Sequence, residues 1–460
     1  MNWQDVLLAM LPEHILLLGI VLLIVLELLS DRPKGALAVA LLAVVAATAA
    51  AALLVTKGYA SAPFAGHFSV NPAALTAKAL LLVLVVPVLL LSRDDFTETR
   101  FHILLLSSVY GVCLLLSADS FLTMFLGLEI MSLPVYVLVM VGYQRPDSPE
   151  AALKYLVLSS AATATFLMGV SLLYGGTGTL ALSAFARALG SPNTMAQAAV
   201  VLIVVAFFLK AAIVPFHAWA PDAYEGASVP VTAYMATVIK AGVLLAAVRL
   251  FGTTPVGRPM ADLLTLLPLV SMIWGNLAAI RQTSFRRMIA YSSIAHAGYL
   301  FFAFLGAGPG RFQAVTFYIL AYALMNLLAF SALPRGEDDA TSDKLSGLKG
   351  MYQRRPFAAL MLGLAMLSLA GIPPLPGFVA KFLIFKNVIA AGYPVYAVLG
   401  LIGSYLGIYF YLRVIQYAFM SGDAAAEPVN GRRLALSASV LCVVPAALVA
   451  LFPGWFMAQL

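Results

Sequence analysis

The sequence predicts an all-α membrane protein, and three observations carry this prediction. Hydrophobic residues make up 62% of the 460 residues and charged residues only 10%, whereas soluble proteins are about half apolar and about a quarter charged. The apolar residues form runs of roughly 18 to 25, which is the length of a membrane-spanning helix. These runs lack the two-residue alternation of β-barrel strands, and lipid-exposed backbone is satisfied only in helices or closed barrels.

The apolar runs predict about 14 transmembrane helices, called spans 1 to 14. They begin near residues 15, 36, 74, 101, 120, 150, 197, 229, 262, 284, 311, 356, 393 and 434. The chain is therefore predicted to be one transmembrane domain. Its parts are spans 1 to 3 in residues 1–95, a first repeat in 96–252, a second repeat in 260–422 and a C-terminal helix in 430–460.

Prolines interrupt two spans. Pro215 lies within span 7, and Pro373, Pro374 and Pro376 lie within span 12. Because proline lacks a backbone N–H, both helices are predicted to break and to leave main-chain carbonyl groups without helical donors. The breaks are five spans apart, so spans 4–8 and 9–13 are predicted to form two inverted five-helix repeats. Paired interruptions in inverted halves are typical of transporters.

The net charge of +7 is explained by topology, because the cations form no basic stripe interleaved with aromatic residues, as nucleic-acid binding requires. Loops 30–35, 92–100, 143–150, 281–287, 333–355 and 430–433 fall on one side of the membrane and contain more Lys and Arg residues than the other loops. By the positive-inside rule this side is cytoplasmic, and both termini face outward. The other basic residues, among them Lys78, are assigned to the outer side.

Several ionisable residues lie inside the spans, where a charge costs at least about 2.5 to 3.5 kcal/mol and is usually functional. At about 1.5 Å per residue, Glu129, Lys210, Lys240 and His296 lie roughly 14 to 20 Å into four different spans, which is one mid-membrane level. Burial disfavours a charged lysine and a nearby carboxylate favours it. A Glu129–Lys210 pair is therefore predicted to hold a proton when closed and to release it when separated.

Other ionisable residues lie towards the membrane surfaces. Lys154, with Glu150 one helical turn earlier, is predicted to line a cytoplasmic entrance, and Lys381 beyond the break in span 12 to line an exit. Lys154 and Glu150 can also form an interfacial pair, and His217 can line an entrance or cap a helix. His296 can be a neutral histidine bonded to a hydroxyl group, and the buried lysines can form static ion pairs.

Five segments carry a resemblance to a known family: FLGLEIMSLPVYVLV, KYLVLSS, FFLKAAIVPFHAWAPDAYEGASVPVTAYMATVIKAG, RRMIAYSSIAHAGY and GIPPLPGFVAKFLIF. They resemble the antiporter-like membrane subunits of proton-pumping NADH-quinone oxidoreductase, respiratory complex I, over essentially the whole chain. Within that family the chain most resembles the subunit N branch, which has a lysine at the position of Lys381. The subunit M branch has a glutamate there, and the subunit L branch is longer.

The resemblance implies roles for the buried residues. Glu129 and Lys210 are the key pair, Lys240 and His296 continue a central hydrophilic axis, and Lys381 is the distal site near the outlet. Span 11 lacks a lysine, so the second repeat does not copy the first residue for residue.

The resemblance also implies that Lys154 belongs to the same charged chain and that His217 lies near the site of proton uptake. FMN, iron–sulfur clusters and quinone would reside in partner subunits, because no dinucleotide motif or cysteine cluster occurs in this chain. The chain would then be a non-redox subunit of a translocase in the bacterial inner membrane. Its expected partners are a neighbouring antiporter-like subunit, small membrane subunits and lipids, with no nucleic acid.

Two other functions fit the same sequence. A subunit of a multisubunit cation/proton antiporter shares these motifs and needs no electron donor. A membrane scaffold would hold its buried charges as static pairs.

Overall fold

A computed structural model describes residues 3–29, 35–93, 95–96, 98–141, 146–306, 308–334, 343–422 and 433–459. Within these ranges, 13 helices are long and apolar enough to cross a membrane. A further span is divided into two shorter helices, and this is the predicted span 12. The predicted all-α polytopic fold is confirmed. The predicted orientation rests partly on basic residues outside the described ranges, namely Arg32, Lys34, Arg145, Arg335 and Arg432.

The continuous spans begin close to their predicted positions. Spans 1 to 6 are Leu11–Leu29, Ala36–Thr56, Pro72–Ser92, Thr99–Leu116, Phe121–Val141 and Ser148–Thr177. Spans 8 to 11 are Val229–Phe251, Arg258–Ile280, Phe285–Leu305 and Pro309–Ala332. Spans 13 and 14 are Pro394–Phe419 and Arg433–Leu451.

Spans 7 and 12 are broken at the predicted prolines. Span 7 consists of Thr194–Ala211 and Trp219–Gly226, and span 12 consists of Pro356–Ala370 and Pro376–Ala390. The first half of each ends on a residue in the left-handed conformation, with φ of 61° in span 7 and 87° in span 12. The two breaks therefore share a backbone geometry. The boundaries of the two repeats stay a prediction.

Short helices outside the spans are Trp3–Ala9, Ser183–Leu189, Met351–Arg354 and Pro453–Gln459, with a 3₁₀ turn at Leu345–Leu348. A second 3₁₀ turn, Ala303–Leu305, ends span 10. Strands Ser61–Phe64 and Phe68–Val70 form an antiparallel hairpin between spans 2 and 3. The hairpin lies on the side opposite the basic loops, which is called the hairpin side.

Three spans form the interior of the bundle. All residues of the most apolar 18-residue window are buried in spans 8 and 11 and 94% of them in span 10, whereas only 33% and 28% are buried in spans 1 and 14. Lys240 on span 8 and His296 on span 10 are thus enclosed by other helices, with 7% and 4% of their surfaces exposed. Neither side chain can extend to a lipid headgroup along the bundle surface.

Lys78 is assigned to the outer side by sequence, and the structure places it inside span 3, in the second turn from the hairpin-side end. The residue has no exposed surface. Its Nζ atom is 2.5 Å from Oε1 of Glu13 on span 1. Sequence gives the side of this charge and not its burial. In the structure, the hairpin covers that end of the helix, and the ring of Phe68 lies 5.1 Å from Nζ.

Candidate functional site

The first group of buried polar residues surrounds the break in span 7. Lys210 lies in the last turn of Thr194–Ala211, and its Nζ is 3.4 Å from Oε1 of Glu129 on span 5. The side chains are 6% and 21% exposed. The carboxyl end of a helix carries a partial negative charge, which adds to the attraction of Glu129 for the ammonium group. The structure thus brings together the two residues predicted to form the key pair.

Hydroxyl groups from span 6 complete this first group. Nζ of Lys210 donates to Oγ of Ser159 at 2.8 Å, and Oγ1 of Thr163 donates to Oε1 of Glu129 at 2.5 Å. The ammonium group is therefore closer to a neutral hydroxyl than to its carboxylate. Both members of the pair keep a hydrogen-bonding partner when they move apart.

Lys240 is the second buried cation. It follows a π-helical turn, Met235–Ile239, and such turns are frequent at functional sites. Its ammonium group donates to the main-chain carbonyl of Ser293 at 2.6 Å and to the Oγ of the same residue. Tyr224 contacts that Oγ at 3.3 Å. Among the described residues, Lys240 has no carboxylate within ion-pair distance, so a static ion pair does not explain it.

His296 lies between two tyrosine hydroxyl groups. Its Nε2 is 3.1 Å from the hydroxyl of Tyr411, and its Nδ1 is 2.8 Å from the hydroxyl of Tyr318. The hydroxyl of Tyr411 lies 2.5 Å from Oγ of Ser292. This geometry fits a neutral imidazole that donates at one nitrogen and accepts at the other. It is equally suited to proton transfer along the chain of hydroxyls.

Lys381 occupies the break in span 12. Its Nζ donates to the carbonyls of Leu369 and Ala370, both at 3.0 Å, and to Oγ of Ser404 at 2.9 Å. Those carbonyls are two of the groups predicted to lose their helical donors. The ammonium group consequently lies back at the break, because helical side chains point towards the amino end. The ring of Tyr299 lies 5.3 Å from Nζ.

A cluster of charged residues lies where span 6 begins, on the side of the basic loops. Lys154 is 2.7 Å from both Glu150 and Asp222. Arg287 is 2.8 Å from Asp222 and 2.9 Å from Glu225. The predicted pair is thus part of a five-residue network, called the entrance cluster. Its other three members were not predicted, although APDAYEGA places two acids three residues apart on one helix face.

The side chain of His217 contacts span 9 and not the entrance cluster. Its Nε2 accepts a hydrogen bond from the indole of Trp274 on span 9 at 3.0 Å. Its Nδ1 is buried and has no partner among the described residues. A role in proton uptake therefore stays a prediction.

Metal binding has no support in the described part of the chain, where no three His, Cys, Asp or Glu side chains are grouped to hold an ion. Cys113 and Cys442 are both buried and free.

Comparisons with known proteins now bear on this geometry. The family described as "NADH:quinone oxidoreductase/Mrp antiporter, TM" matches residues 118–407, which include all eight predicted site residues. The chain belongs to the NADH:quinone oxidoreductase/Mrp antiporter family. Its relatives include NADH-quinone oxidoreductase subunit N of Pelobacter propionicus, 38% identical over 98% of both chains. Subunit N of Laribacter hongkongensis is 34% identical over 92% of this chain and 91% of its own.

Solved structures of this family agree with the sequence relatives. A chain of respiratory complex I from Thermus thermophilus is 34% identical to this chain, with a TM-score of 0.84. The match covers 97% of this chain and 98% of the complex I chain. A chain of the Mrp complex from Dietzia has a TM-score of 0.84 at 21% identity, and the match covers 98% of this chain and 96% of the Mrp chain. The latter similarity concerns the fold alone. The resemblance to the subunit N branch is confirmed.

Proposed function

We propose that this chain is the antiporter-like, proton-translocating membrane subunit of an NADH-quinone oxidoreductase, in the position of subunit N. The observation that carries the proposal is the Lys210–Glu129 contact of 3.4 Å at a helix break inside the membrane. Buried charges at this depth are costly and are found where ions or protons move. Relatives named subunit N over nearly the whole chain supply the reaction class.

The first step is proton storage on Lys210. When Glu129 is close, its negative charge holds the ammonium form in a low-dielectric interior. When Glu129 moves away from Lys210 and keeps its hydrogen bond from Thr163, the ammonium group has only neutral partners, and Ser159 accepts one of its hydrogen bonds. Loss of the carboxylate partner disfavours the charged form. Lys210 then gives up its proton to the interior of the bundle.

The next acceptors are Lys240, His296 and Lys381. Lys240 and Lys381 have hydroxyl and carbonyl partners and no carboxylate among the described residues. A lysine without a carboxylate changes protonation state more readily than one in an ion pair. No hydrogen bond between described residues joins Lys210 to Lys240, so transfer between them requires intervening water or side-chain movement.

The ring of Tyr299 continues the proposed proton path from His296 to Lys381. Tyr299 lies 5.7 Å from the ring of His296, and Lys381 lies against the face of the same tyrosine. Lys154 and the entrance cluster supply the proton at the basic-loop side. We place Lys381 last in the sequence, at the outlet.

The redox reaction belongs to other subunits in this proposal. FMN, iron–sulfur clusters and quinone bind elsewhere, and this chain contributes as a non-redox part of the translocase. Its neighbours are another antiporter-like subunit, small membrane subunits and lipids. The chain lies in the bacterial inner membrane with both termini on the outer side, as the positive-inside rule predicts.

The test replaces Lys210 with Met in the assembled complex and measures NADH-driven proton uptake into proteoliposomes. Pumping falls at least several-fold while the complex assembles normally on a blue-native gel. Normal pumping by a normally assembled Lys210→Met complex contradicts the proposed relay. The antiporter alternative is tested with a sodium gradient imposed on liposomes that contain the purified chain alone. Sodium–proton exchange without partners would support that function instead.

A further inference from the structure

A second buried ion pair lies outside the proposed relay. Glu13 on span 1 and Lys78 on span 3 are 2.5 Å apart, and their side chains are 1% and 0% exposed. Both precede residues 118–407, the segment matched by the family. Neither residue belongs to the two predicted repeats. The pair therefore lies outside the relay proposed through spans 5 to 12.

Stability alone does not account for this pair. Burying two charges costs about as much free energy as their attraction returns, and apolar side chains of similar size are often as stable. Ionisable groups inside a membrane protein are accordingly associated with proton or ion binding. One observation gives the pair such a capacity. The second carboxylate oxygen of Glu13, Oε2, is buried and has no hydrogen-bond partner among the described residues.

The pair lies near the hairpin side of the membrane. Glu13 is the third residue of Leu11–Leu29, and Lys78 is the seventh residue of Pro72–Ser92. At about 1.5 Å per residue, both lie within roughly 10 Å of their helix ends. The Phe68 ring of the hairpin lies on the same side, over the ammonium group of Lys78.

A cavity opens on the same side, and part of its lining is the turn of span 3 that precedes Lys78. It offers about 350 Å³ to water and is lined in part by Asn71, Ala74, Ala77 and Arg249. Ala74 and Lys78 are four residues apart and share a face of span 3. Lys78 thus lies one helical turn below the cavity lining, with the ring of Phe68 over its ammonium group.

We infer that Glu13 and Lys78 form a second proton-binding site, which exchanges a proton with the hairpin side at Oε2 of Glu13. The incoming proton bonds to Oε2 and makes the carboxylic acid, while the lysine keeps its ammonium form. The bound state therefore has one more positive charge than the ion pair. Movement of the Phe68 ring, or of the adjacent helix end, opens the path from the cavity.

The surroundings of the pair contain few other titratable groups. Tyr110 and Cys113 on span 4 interact electrostatically with Glu13. Span 2, which packs against spans 1 and 3, has no titratable residue between Ala36 and Thr56. The hairpin contributes the apolar ring of Phe68. Glu13 is thus the only carboxyl group among the described residues assigned to this site.

The experiment is infrared difference spectroscopy on the assembled complex in proteoliposomes, with the pH changed on one side at a time. A carboxylic-acid carbonyl band is expected to grow as the hairpin-side pH falls, and to be absent in Glu13→Gln. In Lys78→Met the same band appears about one pH unit or more higher, because the stabilising positive charge is gone. Glu27→Gln, at the other end of span 1, keeps the wild-type band.

Two results would overturn the inference. One is an identical difference spectrum for wild type and Glu13→Gln, and the other is a band that follows only the pH of the basic-loop side. The wild-type and Glu13→Gln complexes must both run as intact assemblies on a blue-native gel. The readout does not depend on the proposed relay, since a complex that fails to pump still shows whether Glu13 binds a proton.

Discussion

Lys210 and Glu129 form an ion pair with a nitrogen–oxygen distance of 3.4 Å, which is long for a charge-assisted hydrogen bond of about 2.7 to 2.9 Å. The shorter contact of the ammonium group, at 2.8 Å, is with Ser159. The lysine is therefore shared between a charged and a neutral acceptor. This arrangement allows the pair to open without leaving the ammonium group unbonded.

Replacement of Ser159 by Ala tests this sharing. Without the hydroxyl, Lys210 has fewer neutral partners and moves closer to Glu129, which stabilises the closed pair and slows proton release. A hydrogen bond to a charged group is worth about 1.5 to 3 kcal/mol, so the pumping rate is expected to fall by about tenfold or more. The measurement is NADH-driven acidification per assembled complex.

Thr165→Ala is the matched control for Ser159→Ala. Thr165 lies on the same helix, is partly exposed, and donates to the carbonyl of Ala161 in its own helix. Its replacement is expected to leave pumping unchanged. Equal pumping by the two variants would show that the Ser159 hydroxyl does not control the pair.

Much of this fold follows from local sequence. Apolar run length determines which segments cross the membrane, and the prolines at positions 215 and 373 mark the two helix breaks. Proline alone does not decide a break, because Pro87, Pro134 and Pro268 lie inside continuous helices. Depth alone places Glu129 at the level of both Lys210 and Lys240, and the contact with Lys210 comes from the packing of span 5 beside the end of the first half of span 7.

The partners of other charges depend on packing between distant segments. Glu13 and Lys78 are 65 residues apart in sequence, and no local pattern indicates that spans 1 and 3 bring them together. Arg287 and Asp222 are likewise 65 residues apart. The partners of Lys381 also depend on packing, because its Nζ contacts Ser404 on span 13, 23 residues away in sequence.

A carboxylate beside Lys381 is expected to impair the relay. Ser404 contacts the ammonium group at 2.9 Å, so Ser404→Asp introduces a negative charge at ion-pair distance. The charged form of Lys381 is then favoured and its proton is released less readily. NADH-driven pumping should fall at least several-fold. Ser404→Asn, with nearly the same shape and no charge, is expected to pump much better, and equal inhibition by both would show that shape is responsible.

Within the entrance cluster, loss of Asp222 is expected to reduce the pumping rate more than loss of Glu150. Asp222 bridges Lys154 and Arg287, whereas Glu150 contacts Lys154 alone and its side chain is 68% exposed. Exposed ion pairs contribute little, so Glu150→Gln should change the pumping rate by less than about twofold. Asp222→Asn should reduce it several-fold because two cations lose a partner. Pumping rates of the two complexes, compared at equal assembly, decide whether the bridge matters.

The two helix breaks make opposite demands on residue type. Gly371 has φ of 87°, and a Cβ atom there would lie 3.0 Å from Cδ of Lys381. Gly371→Ala therefore combines left-handed strain of about 1 to 2 kcal/mol with displacement of the lysine, and should lower both thermal stability and pumping. At the matching position of span 7, Ala212 already adopts φ of 61°. Ala212→Gly relieves that strain while making the unfolded chain more flexible, so its stability should stay within about 1 kcal/mol of wild type. Thermal unfolding of the assembled complex measures both effects, and a larger loss in Ala212→Gly than in Gly371→Ala would contradict the assigned backbone geometry.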